Sequence, residues 1–544
     1  MSIQLKQSFF NFLGSSFSIQ NGLFSPLPSL QTSPSSLRTN VKQSHRGSDE
    51  IATSPFQAPR YDKVLDLTKL VVVPGFIDCH AHSDYFLLMN HTADAKVYQG
   101  VTTDIGGNCG YSAAPVWGSC QAKRIEDYEK YESLKLPWSS LSEYFKTLKK
   151  LHISMNYAHL VGHNTLRESE TGVVNRKLTQ QEIKNICSKL EEAFHEGAIG
   201  LSTGLVYPPA CYADEKELLE LGKMCKKHGK IFAFHMRNEN DLVLEAISET
   251  LNVGRKTGCK IQISHLKTFG KRNWNKIDKV FDVIETAIKE GVDVMCDRYP
   301  YTAAQTGLQQ VLPSWVYDGG EKKLIQNLKD IKFRKDIHQE LSKKYDSGYY
   351  DTVQIMEVPS QKNKKYEGKR VSEAAQKLKV HPLDFVMDLL IQEETKVSAI
   401  YHAMSEENLE RILKKEYVMI GSDSGCRSCE GRLSKGALHP RAFGTFPRVI
   451  SEYVKKKKIL TLEEAVKKMT VQPAERFGLA KRGKIKAGYY ADLVAFDYEK
   501  LQDTSTFLDP LHYPKGIEYV FVNGEMVIKK GKHTKKTPGM TIKI

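Results

Sequence analysis

The chain of 544 residues is 40% hydrophobic and 26% charged, enough for a large buried core with a smaller one beside it. No apolar run is long enough to span a bilayer, so no membrane partner is expected. The formal charge of +15 comes mostly from scattered lysines, densest at Lys455 to Lys458 and Lys529 to Lys536; without an aromatic-interleaved or Gly-rich motif these read as solvated surface, and no nucleic-acid partner is expected.

The ten cysteines are dispersed, several of them inside apolar strands, which fits reduced thiols in a cell interior and a cytoplasmic protein. Residues 1–59 differ from the rest. They are rich in Ser, Gln, Asn and Pro, carry no acid before Asp49 and lack sustained periodicity, so a disordered or aberrant tail is expected. With Lys6, Arg38, Lys42 and Arg46 the tail faintly resembles an organelle transit peptide, which leaves import as an alternative location.

From Lys63 the chain reads as structure. Strand-like pieces at Val64 to Leu67 and Leu70 to Val73 precede Val72–His82, VVPGFIDCHAH. Side chains two apart on a strand point the same way, so His80 and His82 project together from its end. Two converging imidazoles suit zinc, iron or nickel, although His-x-His alone also arises by chance. A second β-branched strand, Gly100 to Ile105, ends in the turn Gly106-Gly107-Asn108-Cys109-Gly110. Further apolar strands follow at Asn156 to His163, Ala198 to Leu205, Lys230 to Met236, Lys260 to Leu266, Asp293 to Tyr299 and Tyr417 to Asp423.

Helical patterns lie between them. Thr179 with Glu182 and Thr461 with Glu464 read as capping boxes, and Gly197 closes the first of these helices. Counting Val71 to Asp78 as the first strand gives the eight of a TIM-like (β/α)8 barrel in the α/β class, whose active site lies at the strands' C-terminal ends. Val397 to Tyr401 is a ninth candidate that leaves the count ambiguous. His80, His82, Cys109, His235, His265 and Asp423 all fall at such ends. Any one of them alone would read as a satisfied buried polar group or thiol. Six at the ends of five strands point to a metal site.

The pieces PGFIDCHAH, GVTTDIGGNCG, LVGHNTLR, GLSTGLVYPPACYAD, FHMRNEND, SHLK, DRYPYTA, GSD, HPRAFGTFPRV and AGYYADLVAFD together resemble, in order from Lys63 onward, the D-aminoacylase (N-acyl-D-amino-acid deacylase) family of the metal-dependent amidohydrolase superfamily. The resemblance implies a zinc-dependent hydrolase that cleaves a small-molecule N-acyl-D-amino acid into a carboxylate and a D-amino acid. It implies one tight zinc on Cys109, His235 and His265, with Cys109 in the place that a carboxylated lysine takes elsewhere in the superfamily. It implies a second, weaker site on His80, His82 and Asp423, and Asp423 as general base and then acid. Arg441, Lys267 and Tyr299 are implied substrate contacts.

The implied organisation is a barrel over 74–479, an insertion at about 302–382 near the active site, and a small β-sandwich domain built from 60–73 and 480–544. Relatives are expected to open with further strands of that small domain. Residues 1–59 show no such strands, so the domain is expected to be incomplete. Cys426 and Cys429 form a Cys-x-x-Cys, read either as a redox or metal pair or as chance. The alternatives for function are hydrolysis of a cyclic amide or a dipeptide by a related amidohydrolase, and an inactive metal-binding homologue.

Overall fold

A computed structural model describes residues 3–6, 17–20, 23–26, 63–345 and 348–544. In chain order its strands are β1 (Ile3–Lys6), β2 (Phe17–Gln20), β3 (Leu23–Pro26), β4 (Lys63–Asp66), β5 (Val71–Pro74), β6 (Phe76–Asp78), β7 (Val101–Gly106), β8 (Asn156–Gly162), β9 (Gly200–Gly204) and β10 (Ile231–His235). They continue with β11 (Lys260–Ile263), β12 (Val294–Arg298), β13 (Ala304–Gly307), β14 (Val353–Glu357), β15 (Ser398–Tyr401), β16 (Val418–Ile420), β17 (Leu493–Phe496), β18 (Ile517–Val522), β19 (Glu525–Lys529) and β20 (Lys532–His533).

Eight of these form one parallel sheet in the order β6-β7-β8-β9-β10-β11-β12-β16. Helices cover its outer face, which is why β8 and β10 are buried along their whole lengths and read as apolar runs. The sheet rolls shut where β16 meets β6. The Asp423 N–H donates to His80 O at 2.7 Å, the His82 N–H donates to Ser424 O at 3.2 Å, and Ala81 and Ser424 pair as a parallel bridge. Gly421 permits this approach, since a Cβ there would lie 2.5 Å from His80 Cβ. The result is a (β/α)8 barrel. Both expected capping boxes are present: the Thr179 N–H donates to Glu182 at 2.7 Å and the Thr461 N–H donates to Glu464 at 2.7 Å, and Gly197 ends the first helix at φ 113°.

Two details depart from the sequence reading. The apolar run from Val71 to Asp78 is two strands, divided at Gly75. The first, β5, pairs antiparallel with β17 in a five-stranded sheet β20-β19-β18-β17-β5, while the second, β6, opens the barrel. Gly75 packs so closely on Thr102 that a Cβ would stand 2.3 Å from its side chain. The ninth candidate, β15, lies outside the barrel, between β13 and β14 in an antiparallel sheet.

That three-stranded sheet and its helices occupy the excursion between β12 and β16 and run on past Pro382. Leu308, Val311, Val353, Val386, Leu390 and Ala399 belong to a hydrophobic core of their own there. Inside the expected tail the structure has three strands, β1 to β3, in the sheet β3-β2-β1-β4, with a bridge from Leu23 to Tyr490. Four residues apiece are too few to show periodicity, which explains why the sequence reading passed over them. The rest of residues 1–59 lies outside the described residues. Leu65 of β4 packs with Leu493 and Ala495 of β17, so the four- and five-stranded sheets share a small core. Among the described residues no helix is long and apolar enough to cross a membrane.

Candidate active site

The six strand-end residues meet at the C-terminal mouth of the barrel. Cys109, His265 and Asp423 hold φ of 53°, 35° and 53°, in the left-handed region that non-glycine residues enter only when the surroundings impose it. Such residues cost roughly 1–3 kcal/mol each and concentrate where side chains must be aimed. Here each lies two or three residues beyond the end of its strand, β11 for His265, β7 for Cys109 and β16 for Asp423.

Cys109 Sγ stands between two imidazoles, 3.3 Å from His80 Nε2 and 3.4 Å from His265 Nε2. Asp423 Oδ1 lies 3.5 Å from His80 Nε2 and 2.9 Å from His82 Nε2. His235 joins from the other side, its Nδ1 2.9 Å from His265 Nε2. Donor atoms of His80, Cys109, His265 and Asp423 all fall within 4.8 Å of one another, as do those of His235, Glu239 and His265. His82 meets this group through Asp423.

Two carboxylates that the sequence reading missed orient the rings. His80 Nδ1 lies 2.9 Å from Asp297 Oδ1, and His265 Nδ1 lies 3.0 Å from Glu239 Oε1. Each carboxylate turns its ring so that Nε2 faces the centre, where it would offer a lone pair to a metal once deprotonated. Asp297 also accepts the His265 backbone N–H at 2.8 Å, and Glu239 accepts from Lys267 Nζ at 2.5 Å. The signal for Asp297 was its place at the end of β12. The signal for Glu239 was its spacing of four from His235.

The electrostatics follow from this packing. Burial would raise the Cys109 thiol, but the charges of His80, His265 and His235 bring it well below its ordinary range. Burial likewise opposes ionisation of Asp423, and the Arg441 guanidinium, then His80 and His82, overcome it and hold the carboxyl well below the usual value. His82, despite burial, is pushed up to about 9 by its hydrogen bond to Asp423 and by Cys109. Thiolate, carboxylate and oriented imidazoles form a donor set that fits a zinc-class ion.

Above the centre opens a cavity of about 1190 Å³, lined by residues of the barrel loops and of the excursion, among them Tyr207, Thr306, Tyr345, Tyr401 and His402. Arg441 and Tyr299 form part of its wall. Two guanidinium groups approach the Tyr299 ring, with Arg441 Cζ 4.7 Å and Arg298 Cζ 4.2 Å from its centroid. Tyr299 Oη and Arg441 Nε are buried without a protein partner. Both are donor groups of the kind that hold an anion. Lys267, expected at the substrate, also lines the cavity, but its ammonium donates to Glu239 at 2.5 Å and to the His265 backbone carbonyl at 3.0 Å. Cys426 and Cys429 are free thiols; burial pushes Cys429 up to about 12, and Arg427 between them reaches the cavity instead.

Both the sequence and the fold match known proteins. A family profile described as the amidohydrolase family matches residues 63–316 and 370–528. A D-aminoacylase of Alcaligenes xylosoxydans xylosoxydans is 34% identical over 479 residues, covering 88% of each chain. A crystal structure of N-acyl-D-glutamate deacylase from Bordetella bronchiseptica, complexed with zinc and a phosphonate mimic of the tetrahedral intermediate, superposes with a TM-score of 0.77 at 27% identity, covering 97% of this chain and 95% of that one. A D-aminoacylase structure concerned with a binuclear metal centre, one metal activating and the second attenuating, gives 0.76 at 30% identity, covering 97% and 96%.

Proposed function

The chain belongs to the amidohydrolase family, and from that membership we propose that it hydrolyses N-acyl-D-amino acids, releasing a carboxylate and a D-amino acid. The observation that carries the reading is the Cys109 thiol, set between the inward-facing nitrogens of His80 and His265 with the Asp423 carboxylate alongside.

The metal is zinc, held tightly by Cys109, His235 and His265, with a weaker second site on His80, His82 and Asp423. When bound, it supplies Lewis acidity toward the amide carbonyl and the attacking water. Asp423, ionised throughout the neutral range, takes the proton from the water as it adds to the carbonyl carbon. The same carboxyl then gives that proton to the amide nitrogen as the C–N bond breaks, so the amine leaves neutral. Arg441 and Tyr299, whose Nε and Oη lack protein partners, receive the α-carboxylate of the substrate. Lys267 adds positive charge on the same wall and steadies Glu239. Residues of the excursion line the cavity, where they would limit water around the reacting atoms.

The test is hydrolysis of N-acetyl-D-methionine and its L-isomer by the purified protein, with zinc determined, beside a Cys109→Ala variant. D-selective turnover that needs zinc and disappears in the variant supports the reading. Zinc-loaded protein that turns over neither isomer, or that acts only on cyclic amides, defeats it.

A further inference from the structure

A second group of donors lies at the opposite end of the barrel. Glu191 and His195 sit four residues apart on the helix Gln180–Glu196 and so share one face. His228 follows the helix Glu215–Lys227 and meets that face. Glu191 Oε1 is 2.9 Å from His228 Nε2, and the His195 and His228 rings stand edge to face with centres 5.3 Å apart. One donor atom from each of the three lies within 4.8 Å of the other two. His195 precedes β9 and His228 precedes β10, whereas His235 ends β10, so this cluster and the active site occupy opposite faces of the barrel.

We propose that Glu191, His195 and His228 form a surface site for a divalent transition metal of the zinc class, separate from the catalytic centre. Two imidazoles, a carboxylate and a water complete the tetrahedron that zinc prefers. Zinc–ligand distances of about 2.0–2.1 Å place tetrahedral donors roughly 3.3 Å apart, a small side-chain rotation from the arrangement here. The competitor for Glu191 is the Lys227 ammonium, 2.6 Å from the same oxygen on a side chain that is 63% exposed. An exposed lysine pair contributes little and yields to a dication. Bound metal would tie the end of the helix Gln180–Glu196 to the approach of β10. It would also add one equivalent to any metal determination, whatever the occupancy of the catalytic centre.

The experiment uses the full chain stripped with chelator and titrated with Zn²⁺ by equilibrium dialysis, with Co²⁺ absorption as a second probe. His195→Ala, His228→Ala and Glu191→Gln are compared with the parent chain, and circular dichroism establishes that each is folded. The expected result is one fewer equivalent of zinc in each variant, hydrolytic activity unchanged, and loss of part of the zinc-dependent rise in unfolding temperature. Stoichiometry and affinity in the His195→Ala and His228→Ala proteins equal to the parent's would overturn the proposal. The readout is bound metal, so it stands or falls independently of the substrate assigned to the catalytic centre.

Discussion

Arg441 donates a hydrogen bond of 2.8 Å to Asp423 Oδ2, and neither residue is more than 8% exposed. The guanidinium therefore stabilises the proposed proton carrier while its own Nε has no protein partner. Removing it should affect both functions. A charge-assisted hydrogen bond is worth about 1.5–3 kcal/mol, so Arg441→Lys should raise KM for an N-acetyl-D-amino acid by roughly tenfold to a hundredfold. Steady-state kinetics on that substrate and on its carboxamide analogue test this. The analogue has no carboxylate to hold, and its KM should hardly change. Equal increases for both compounds would show that Arg441 does not read the carboxylate.

Glu239 holds His265 and Lys267 together. Glu239→Gln keeps the shape but removes the charge that fixes the His265 ring. Losses of about 10–100-fold in metal affinity accompany the removal of such partners. Chelator competition should strip zinc from the variant at correspondingly lower chelator concentration, and activity should return when zinc is restored. Identical stripping curves would mean that Glu239 serves only Lys267.

Lys96 is fully buried, with Nζ 2.5 Å from Asp78, 2.9 Å from Ser422 Oγ and 3.2 Å from Asp104. It sits where β6 and the segment after β16 close the barrel, since Asp78 also accepts the Ser422 N–H at 2.8 Å. Breaking a buried ion pair from one side costs about 3–5 kcal/mol, because the partner charge is stranded. Lys96→Met should lose that much in urea unfolding, with part restored by adding Asp78→Asn. A variant as stable as the parent would refute the network's role at the seam.

Burial, aided by the positive charge of Arg370, brings His402 from 6.5 down to about 4 in the folded chain. A depressed value means the unfolded chain binds the proton first. The contribution is complete above pH 6.5 and is lost as pH falls through the window toward 4. His402→Gln should flatten the pH dependence of the unfolding temperature in that window. Parallel curves for the parent and the variant would count against it.

Much of the barrel was legible because strands buried on both faces must be apolar throughout, and because an active site at strand ends places its donors directly after them. His235 after Ile231-Phe232-Ala233-Phe234 would alone pass for a buried polar group, and only the set of six strand-end donors made the site readable. Asp297 and Glu239 were less visible, since an acid that orients a histidine looks in sequence like any other acid. The division of Val71–Asp78 was marked in the sequence by Pro74-Gly75 between two apolar pieces, but the strand count took both pieces as one. β1 to β3 become strands through β4 and one another, so no local pattern announces them. β15 resembled a barrel strand because burial against helices selects the same residues whichever sheet receives them.

The pairing of β5 with β17 has a consequence for how the protein is made. Val71–Pro74 emerges from the ribosome early, yet its neighbour Leu493–Phe496 follows roughly four hundred residues later. At a synthesis rate of about 5–20 residues per second that interval is on the order of tens of seconds. Through it β6, joined to β5 at Gly75, must wait with its upstream anchor unpaired, and β16 must still arrive to close the barrel beside it. The small sheet therefore acts late in biosynthesis, fastening the first strand of the barrel only after every catalytic residue has been translated.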